Sequence, residues 1–172
     1  MKLIEPTIEY EKEMQDFRAD FINNGSSLEG SGTLRKFSVI KEWLDYISML
    51  KNKETCPSNL IPCSHFVFVK EDKKVVGIMQ IRHYLNEYTE KYAGHIGYSV
   101  CPSERRKGYA TEMLKLGLEK CKHMGIDRVL ITCSNDNIGS RKVILKNGGV
   151  YESTEYEPNR QKYLERYWIE IK

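Results

Sequence analysis

The stretch from His95 to Thr111 constrains the fold more than any other part of the chain, because it reads as a strand, a basic turn and a helix in immediate succession. Ile96 to Val100 is apolar and partly β-branched, and Pro102 and Ser103 end it. From Ala110 the apolar residues fall at Met113, Leu114, Gly117, Leu118 and Cys121, the spacing of one helical face, while Lys115, Glu119, Lys120 and Lys122 take the other. Gly125 reads as the stop. Between strand and helix stand Arg105, Arg106, Lys107 and Gly108. The first N–H groups of a helix lack intrahelical partners and carry about half a positive charge through the macrodipole, so an anion is stabilised there. A glycine lets that anion approach the backbone, and arginine adds a planar two-point fork. The segment suits a pyrophosphate.

The rest of the chain reads as alternating short elements. Residues 1–4 form a strand candidate, and helical spacing follows over 8–23. Gly25 to Gly32 is a loop, and Ser38 to Leu50 a helix with Trp43, Leu44, Ile47 and Leu50 inward and Ser38 as its N-cap. Residues 65–70 and 74–82 are strands joined by the polar turn Glu71, Asp72 and Lys73, a hairpin by pattern. A further strand runs from Arg128 to Cys133, and the tail offers two more over 149–155 and 163–171, divided by Pro158 and Asn159. No repeat or linker interrupts the 172 residues, which fit one mixed α/β domain.

Composition excludes several classes of function. There is no apolar run long enough to span a bilayer and no secretory pattern at the N-terminus, so a cytoplasmic location is expected. A net charge of +3, spread apart from the basic triplet, is small for a nucleic-acid binder. The five cysteines show no paired C-x-x-C spacing. Cys101, Cys121 and Cys133 lie in apolar strands or on the apolar helix face and read as packing groups, and Cys56, Cys63 and His65 lack the spacing of a metal site. No metal is expected.

The dinucleotide fingerprint and the nucleoside-triphosphate loop are both absent. What is present, Arg105-Arg106-Lys107-Gly108-Tyr109-Ala110, resembles the Q/R-x-x-G-x-G/A signature of the GCN5-related N-acetyltransferase (GNAT) superfamily. Ile96 to Pro102 is similar to that superfamily's fourth strand. Asn137, followed by Ser140 and then by Gly148, resembles its second motif. The likeness is tight over about residues 65–150 and loose before them.

The resemblance implies an α/β (α+β) fold over residues 1–172. Its central mixed, mostly antiparallel sheet would be splayed between strands 4 and 5 and flanked by helices. It implies acetyl-coenzyme A as cosubstrate, bound in the splay. Tyr98, Ser99 and Val100 would pair by backbone with the pantetheine arm. Arg105, Arg106, Lys107, Gly108, Tyr109, Ala110 and Thr111 would hold the pyrophosphate, Asn135, Asn137 and Ser140 the lower arm, and Arg141 and Lys142 the adenosine end. Taken one at a time, a turn glycine, a solvated basic patch and an N-cap asparagine account for the same residues.

The implied reaction is acetyl transfer to a primary amine by direct attack in a ternary complex, and a protonated amine needs a base. His95 stands where many members carry a glutamate and is the candidate base. The other reading is a packed strand histidine, and His83 and Glu87 are reserves. The Val100 N–H would hold the oxyanion. The tyrosine that many members place seven residues after the motif asparagine is Ile144 here. Tyr98, Tyr109 and Tyr151 are substitutes by proximity, and the thiolate can also take its proton from water. The implied partners are acetyl-coenzyme A and an amine, with no nucleic acid and no membrane, and a homodimer is compatible. The acidic residues of the first loops, Glu29 among them, suit an amine or are simply solvated. A noncatalytic acyl-coenzyme A sensor is the alternative.

Overall fold

The computed structural model describes residues 1–171. Strand β1 (Lys2–Ile4) is followed by helices α1 (Glu11–Asn23) and α2 (Ile40–Lys51), then β2 (Cys63–Val69) and β3 (Val75–Arg82). Helix α3 (Glu87–Tyr92), β4 (Ile96–Val100), α4 (Tyr109–His123), β5 (Arg128–Ser134), α5 (Ile138–Lys146), β6 (Val150–Glu157) and β7 (Lys162–Glu170) complete the order. The strands form two antiparallel sheets, β1-β2-β3-β4 and β5-β7-β6.

The apolar patterning of β2 and β3 explains their central position. Both strands are buried on both faces, as sheets covered on each side require. Phe66, Phe68, Met79 and Ile81 pack with Met113, Leu114 and Cys121 of α4. On the opposite face Val67, Val69 and Ile78 meet Met14, Phe17 and Phe21 of α1 and Trp43 and Ile47 of α2. Full burial of such side chains contributes about 1.5–3 kcal/mol each. Cys101, Cys121 and Cys133 are buried free thiols, in keeping with packing roles. Among the described residues no helix is long and apolar enough to cross a membrane.

Among the described residues one isolated backbone bridge joins the two sheets. It links Gly94 to Ile131, the His95 N–H donates to Leu130 O at 2.7 Å, and the Leu130 N–H donates back to His95 Nδ1 at 3.0 Å. Beyond this vertex β4 and β5 part, as the expected splay requires. Helix α4 packs on β3 and β4 and α5 on β5, and Asn147 Nδ2 ties the two helices by donating to Thr111 O at 3.2 Å.

Two local expectations are corrected. Helix α2 begins at Ile40 with Val39 as N-cap, and no side chain caps it, so Ser38 lies one residue too early to serve. Helix α3 was not anticipated. Its signal is a capping box, in which Asn86 Oδ1 accepts the Thr89 N–H and Thr89 Oγ1 accepts the Asn86 N–H, each at 2.9 Å.

His65 makes the fold sensitive to acid. It is 4% exposed on the α1/α2 face of β2, and neither ring nitrogen has a hydrogen-bond partner among the described residues. Burial first, and the charge of Arg82 second, lower its pKa to about 4. The unfolded chain therefore binds this proton more readily. Stability from this group is fully present above about pH 6.5, is lost progressively as pH falls from there toward 4, and is gone below 4. Unfolding free energies from urea titrations at pH 7.5 and 4.5 should differ by about 2–3 kcal/mol more in the wild type than in His65→Phe.

Candidate functional site

The splay opens a cleft of about 590 Å³. Tyr98, Ser99 and Val100 of β4, Arg105, Arg106 and Gly108 of the turn, and Tyr109, Ala110 and Thr111 of α4 line it. Asn137 and Ser140 at the start of α5, Lys142 and Lys146 farther along it, and Ser26, Ser27 and Glu29 of the loop after α1 complete the wall. Residues far apart in sequence thus converge on the basic turn.

The turn is shaped for an anion. Gly108 is the N-cap of α4 with φ +84°, and an added Cβ there would meet no atom within 4 Å. Arg106 is also left-handed, at φ +64°, a conformation that costs a side-chain-bearing residue about 1–2 kcal/mol. Successive N–H groups in such a turn form a concave nest that runs into the positive end of the helix. The Thr111 N–H is drawn back to Gly108 O at 3.0 Å, which leaves the N–H groups just before it for a ligand.

The register of β4 decides which backbone groups face the cleft. Arg82 N–H to His95 O at 2.8 Å and Cys101 N–H to Val76 O at 2.9 Å bracket the ladder with β3. Alternation in an antiparallel pair then commits the backbone of Gly97 and Ser99 to β3 and turns that of Ile96, Tyr98 and Val100 toward β5. Ser99 therefore contributes its side chain, which accepts the Glu29 N–H at 2.8 Å and donates to Glu29 O at 2.9 Å. Val100 O accepts from Arg105 Nε at 3.2 Å.

Glu104 captures Lys107. Its carboxylate accepts from Lys107 Nζ at 2.8 Å and from Lys74 Nζ, and these two contacts, Lys107 first, hold its pKa down at about 2. Lys107 consequently does not line the cleft, although its neighbours do. Asn135 is also outside. Its N–H donates to Tyr163 O and its carbonyl accepts from Arg141, which forms a two-point pair with Glu165 at 2.6 and 2.7 Å. Lys142, by contrast, faces the cleft.

Inside the cleft two hydroxyls meet. Tyr98 Oη lies 2.8 Å from Ser140 Oγ, across the gap between β4 and α5. Burial pushes the Tyr98 phenol up to about 12, so it stays protonated as a donor. Asn137 Oδ1 accepts the Ser140 N–H at 3.0 Å and fixes that residue at the helix start. Ile144 is fully buried in the apolar core and offers no proton.

His95 is placed differently from the expectation of a base. It lies at the vertex, 8% exposed, and is not part of the cleft wall. A neutral imidazole has one acceptor nitrogen, and here Nδ1 is committed to the Leu130 N–H, so the proton sits on Nε2. Burial and the nearby Arg82 lower its pKa. This is the geometry of a pin that joins the two sheets. His83, a reserve base, is tied to Ser64 Oγ at 2.9 Å, and Glu87 opens α3 away from the cleft wall.

Two carboxylates line the cleft. Glu104 is neutralised by two lysines, which leaves Glu29, whose backbone is fixed to β4 through Ser99. From the sequence Glu29 was one of several loop acids that suit an amine or are simply solvated, because its relation to β4 spans 70 residues. The only local signal was an acid in a glycine-rich loop.

Known proteins resemble the chain in both sequence and fold. Residues 30–150 match a family model described as the acetyltransferase (GNAT) domain. An uncharacterized N-acetyltransferase, YnaD of Bacillus subtilis strain 168, is 31% identical over 83 residues, covering 48% of this chain and 46% of that protein. The match thus spans about half the length of that curated relative. Among solved structures, a ribosomal-protein-S5-alanine acetyltransferase from Vibrio fischeri superposes with TM-score 0.70 at 18% identity, over 98% of this chain and 91% of that one. RimL, a ribosomal L7/L12 α-N-protein acetyltransferase in complex with coenzyme A, gives TM-score 0.70 at 16% identity, covering 98% and 93%. The microcin C7 self-immunity acetyltransferase MccE, in complex with acetyl-CoA and AMP, gives 0.69 at 18%, covering 98% and 91%. At these identities the structural likeness establishes the fold.

Proposed function

The chain belongs to the GNAT acetyltransferase family, and from that premise we propose that it transfers the acetyl group of acetyl-coenzyme A to a primary amine by direct attack in a ternary complex. One observation carries the reading. The cleft between the parted sheets runs from the glycine N-cap of α4 to the β4 edge, with a hydroxyl pair beside it and a carboxylate, Glu29, that forms no ion pair among the described residues.

The residues present fit the cosubstrate. The N–H groups from Lys107 to Ala110, with the guanidinium groups of Arg105 and Arg106, suit a pyrophosphate, and Lys142 and Lys146 add positive charge along α5. The cleft-facing backbone of Tyr98 and Val100 suits the amides of the pantetheine arm. The Val100 N–H is the donor for oxyanion charge at the thioester carbonyl. Ser140, backed by Tyr98, donates to the departing sulfur. Glu29 takes the amine proton, directly or through water. Lys107 and Asn135 act as scaffold, and His95 as the pin of the vertex.

Coenzyme A release, read as free thiol against a panel of amines, tests this proposal. Thiol should appear in step with acetylated amine. A protein that binds acetyl-coenzyme A yet releases no thiol with any amine would be a sensor, and the proposal would fail. His95→Ala should leave the shape of the pH profile of kcat/KM unchanged while lowering stability by about 1–3 kcal/mol through an unpaired Leu130 N–H. Loss of a limb near pH 6–7 would restore His95 as the base.

A further inference from the structure

Two residues of the basic turn are held by side-chain contacts, and the residue between them carries the strained backbone. Arg105 Nε donates to Val100 O at 3.2 Å, and its guanidinium lies over the Phe21 ring of α1, 5.8 Å from the ring centre. Lys107 Nζ donates to Glu104 Oε2 at 2.8 Å. Arg106, exposed between them, has φ +64°. A residue with a side chain keeps a left-handed backbone only where its surroundings over-determine it. The tethers on either side supply that constraint.

Glu104 is the centre of the second tether. Its carboxylate is 7% exposed, although it stands at the wall of a cleft shaped for an anion. Oε2 accepts from Lys107, and Oε1 accepts from Lys74, the residue just before β3. The backbone that leads to it is fixed as well. The Glu104 N–H donates to Cys101 O at 2.8 Å, and the Ser103 N–H donates to Asp20 Oδ2 of α1 at 3.1 Å. By charge alone Glu104 harms the site, because a carboxylate repels phosphate and draws Lys107 away from it. A buried ion pair also adds little stability over an apolar contact of the same size. What the pair supplies is a fixed position, since the link from residue 104 to residue 107 closes the chain around Arg106.

We propose that Glu104 is a positioning residue, which ties Lys107 to the β2–β3 hairpin and so holds the turn in its phosphate-binding shape before the cofactor arrives. This rests on the acetyltransferase reading and adds to it the group that pre-forms the cofactor site. Without the tether Arg106 relaxes to an ordinary backbone, the N–H groups from Lys107 to Ala110 no longer converge, and each binding event must restore them. Affinity falls by the fraction of molecules whose turn remains competent. That loss is about 5–30-fold, the equilibrium factor between left-handed and right-handed backbone.

The test is calorimetric binding of acetyl-coenzyme A to the wild type, Glu104→Ala, Arg106→Gly and the double variant, with a thermal melt of each. Glu104→Ala should bind about 5–30-fold more weakly, whereas removal of a repelling charge alone would tighten binding. In the Arg106→Gly background the same change should cost about 3-fold or less, because glycine adopts the left-handed backbone unaided. Glu104→Gln, which keeps an acceptor of the same size, should fall between wild type and Glu104→Ala. With saturating acetyl-coenzyme A kcat should not change, so that the deficit lies in the KM of the cofactor. Tighter or unchanged binding by Glu104→Ala, or an equal penalty in both backgrounds, would overturn the proposal. Trypsin reads the turn without any ligand. Cleavage after residues 105–107, relative to the unfolded chain of the same variant, should be about 5-fold or more faster in Glu104→Ala, and an unchanged rate would also overturn it. Should the wild type not bind acetyl-coenzyme A, the acetyltransferase reading fails, and the trypsin rate then decides on its own whether Glu104 holds the turn.

Discussion

Gly108→Asp should weaken acetyl-coenzyme A binding by about 10²–10⁴-fold while leaving the protein folded. The position is the left-handed N-cap of α4, with open space where a Cβ would stand, so the substitution meets no clash. Aspartate tolerates this backbone better than most side chains and is a favoured N-cap, and its charge suits the helix dipole. The damage falls on the ligand. The new carboxylate occupies the volume that a phosphate needs and takes the N–H groups meant for it. Loss of two charge-assisted contacts at about 1.5–3 kcal/mol each gives about 3–6 kcal/mol, or about two to four decades in affinity. Calorimetric titration with acetyl-coenzyme A, alongside a thermal melt, separates the two effects. A variant that melts like the wild type and binds like it would contradict the placement of the pyrophosphate.

Glu29→Gln should lower kcat by about 10²–10³-fold, the range expected when a positioned base is removed. The amide keeps the size of the side chain, and the two hydrogen bonds that fix the loop join the Glu29 N–H and carbonyl to Ser99 Oγ, so the loop stays in place. The KM of acetyl-coenzyme A should change little. The deficit should shrink as pH rises toward the pKa of the amine, near 10.4 for a lysine-like group, because the free amine then needs no base. A rate deficit that is constant with pH would point to a positioning role instead. Glu104 is not an equivalent candidate, because Lys107 and Lys74 hold it ionised down to about pH 2 and leave it little affinity for a proton.

The stretch from His95 to Thr111 was legible in the sequence because its information is local. A strand ended by Pro102, a glycine at the N-cap and an apolar face in α4 are all written within a few residues of where they act. Asn137 and Ser140 were legible for the same reason, since their cap is a three-residue relation. Where the structure places a side chain differently from the expectation, the cause is a partner distant in sequence. His95 looked like a base until Leu130, 35 residues later, took its acceptor nitrogen. Lys107 looked like a phosphate ligand until Glu104 and Lys74, the latter brought in from the β2–β3 turn, fixed it elsewhere. Asn135 was set aside by the Arg141–Glu165 pair, which joins α5 to β7. Glu29 carried no periodic or motif signal, and its place at the cleft depends on a loop pinned to Ser99, 70 residues away.

Calorimetric binding of acetyl-coenzyme A and of acetyl-pantetheine, which lacks the pyrophosphate and adenosine, to the wild type and to Gly108→Asp tests the central assignment most directly. The account predicts that the wild type favours acetyl-coenzyme A by about 10²-fold or more, and that Gly108→Asp erases most of that preference while acetyl-pantetheine binds both proteins alike. An undiminished preference in the variant would contradict it, because the pyrophosphate would then be held somewhere other than the start of α4.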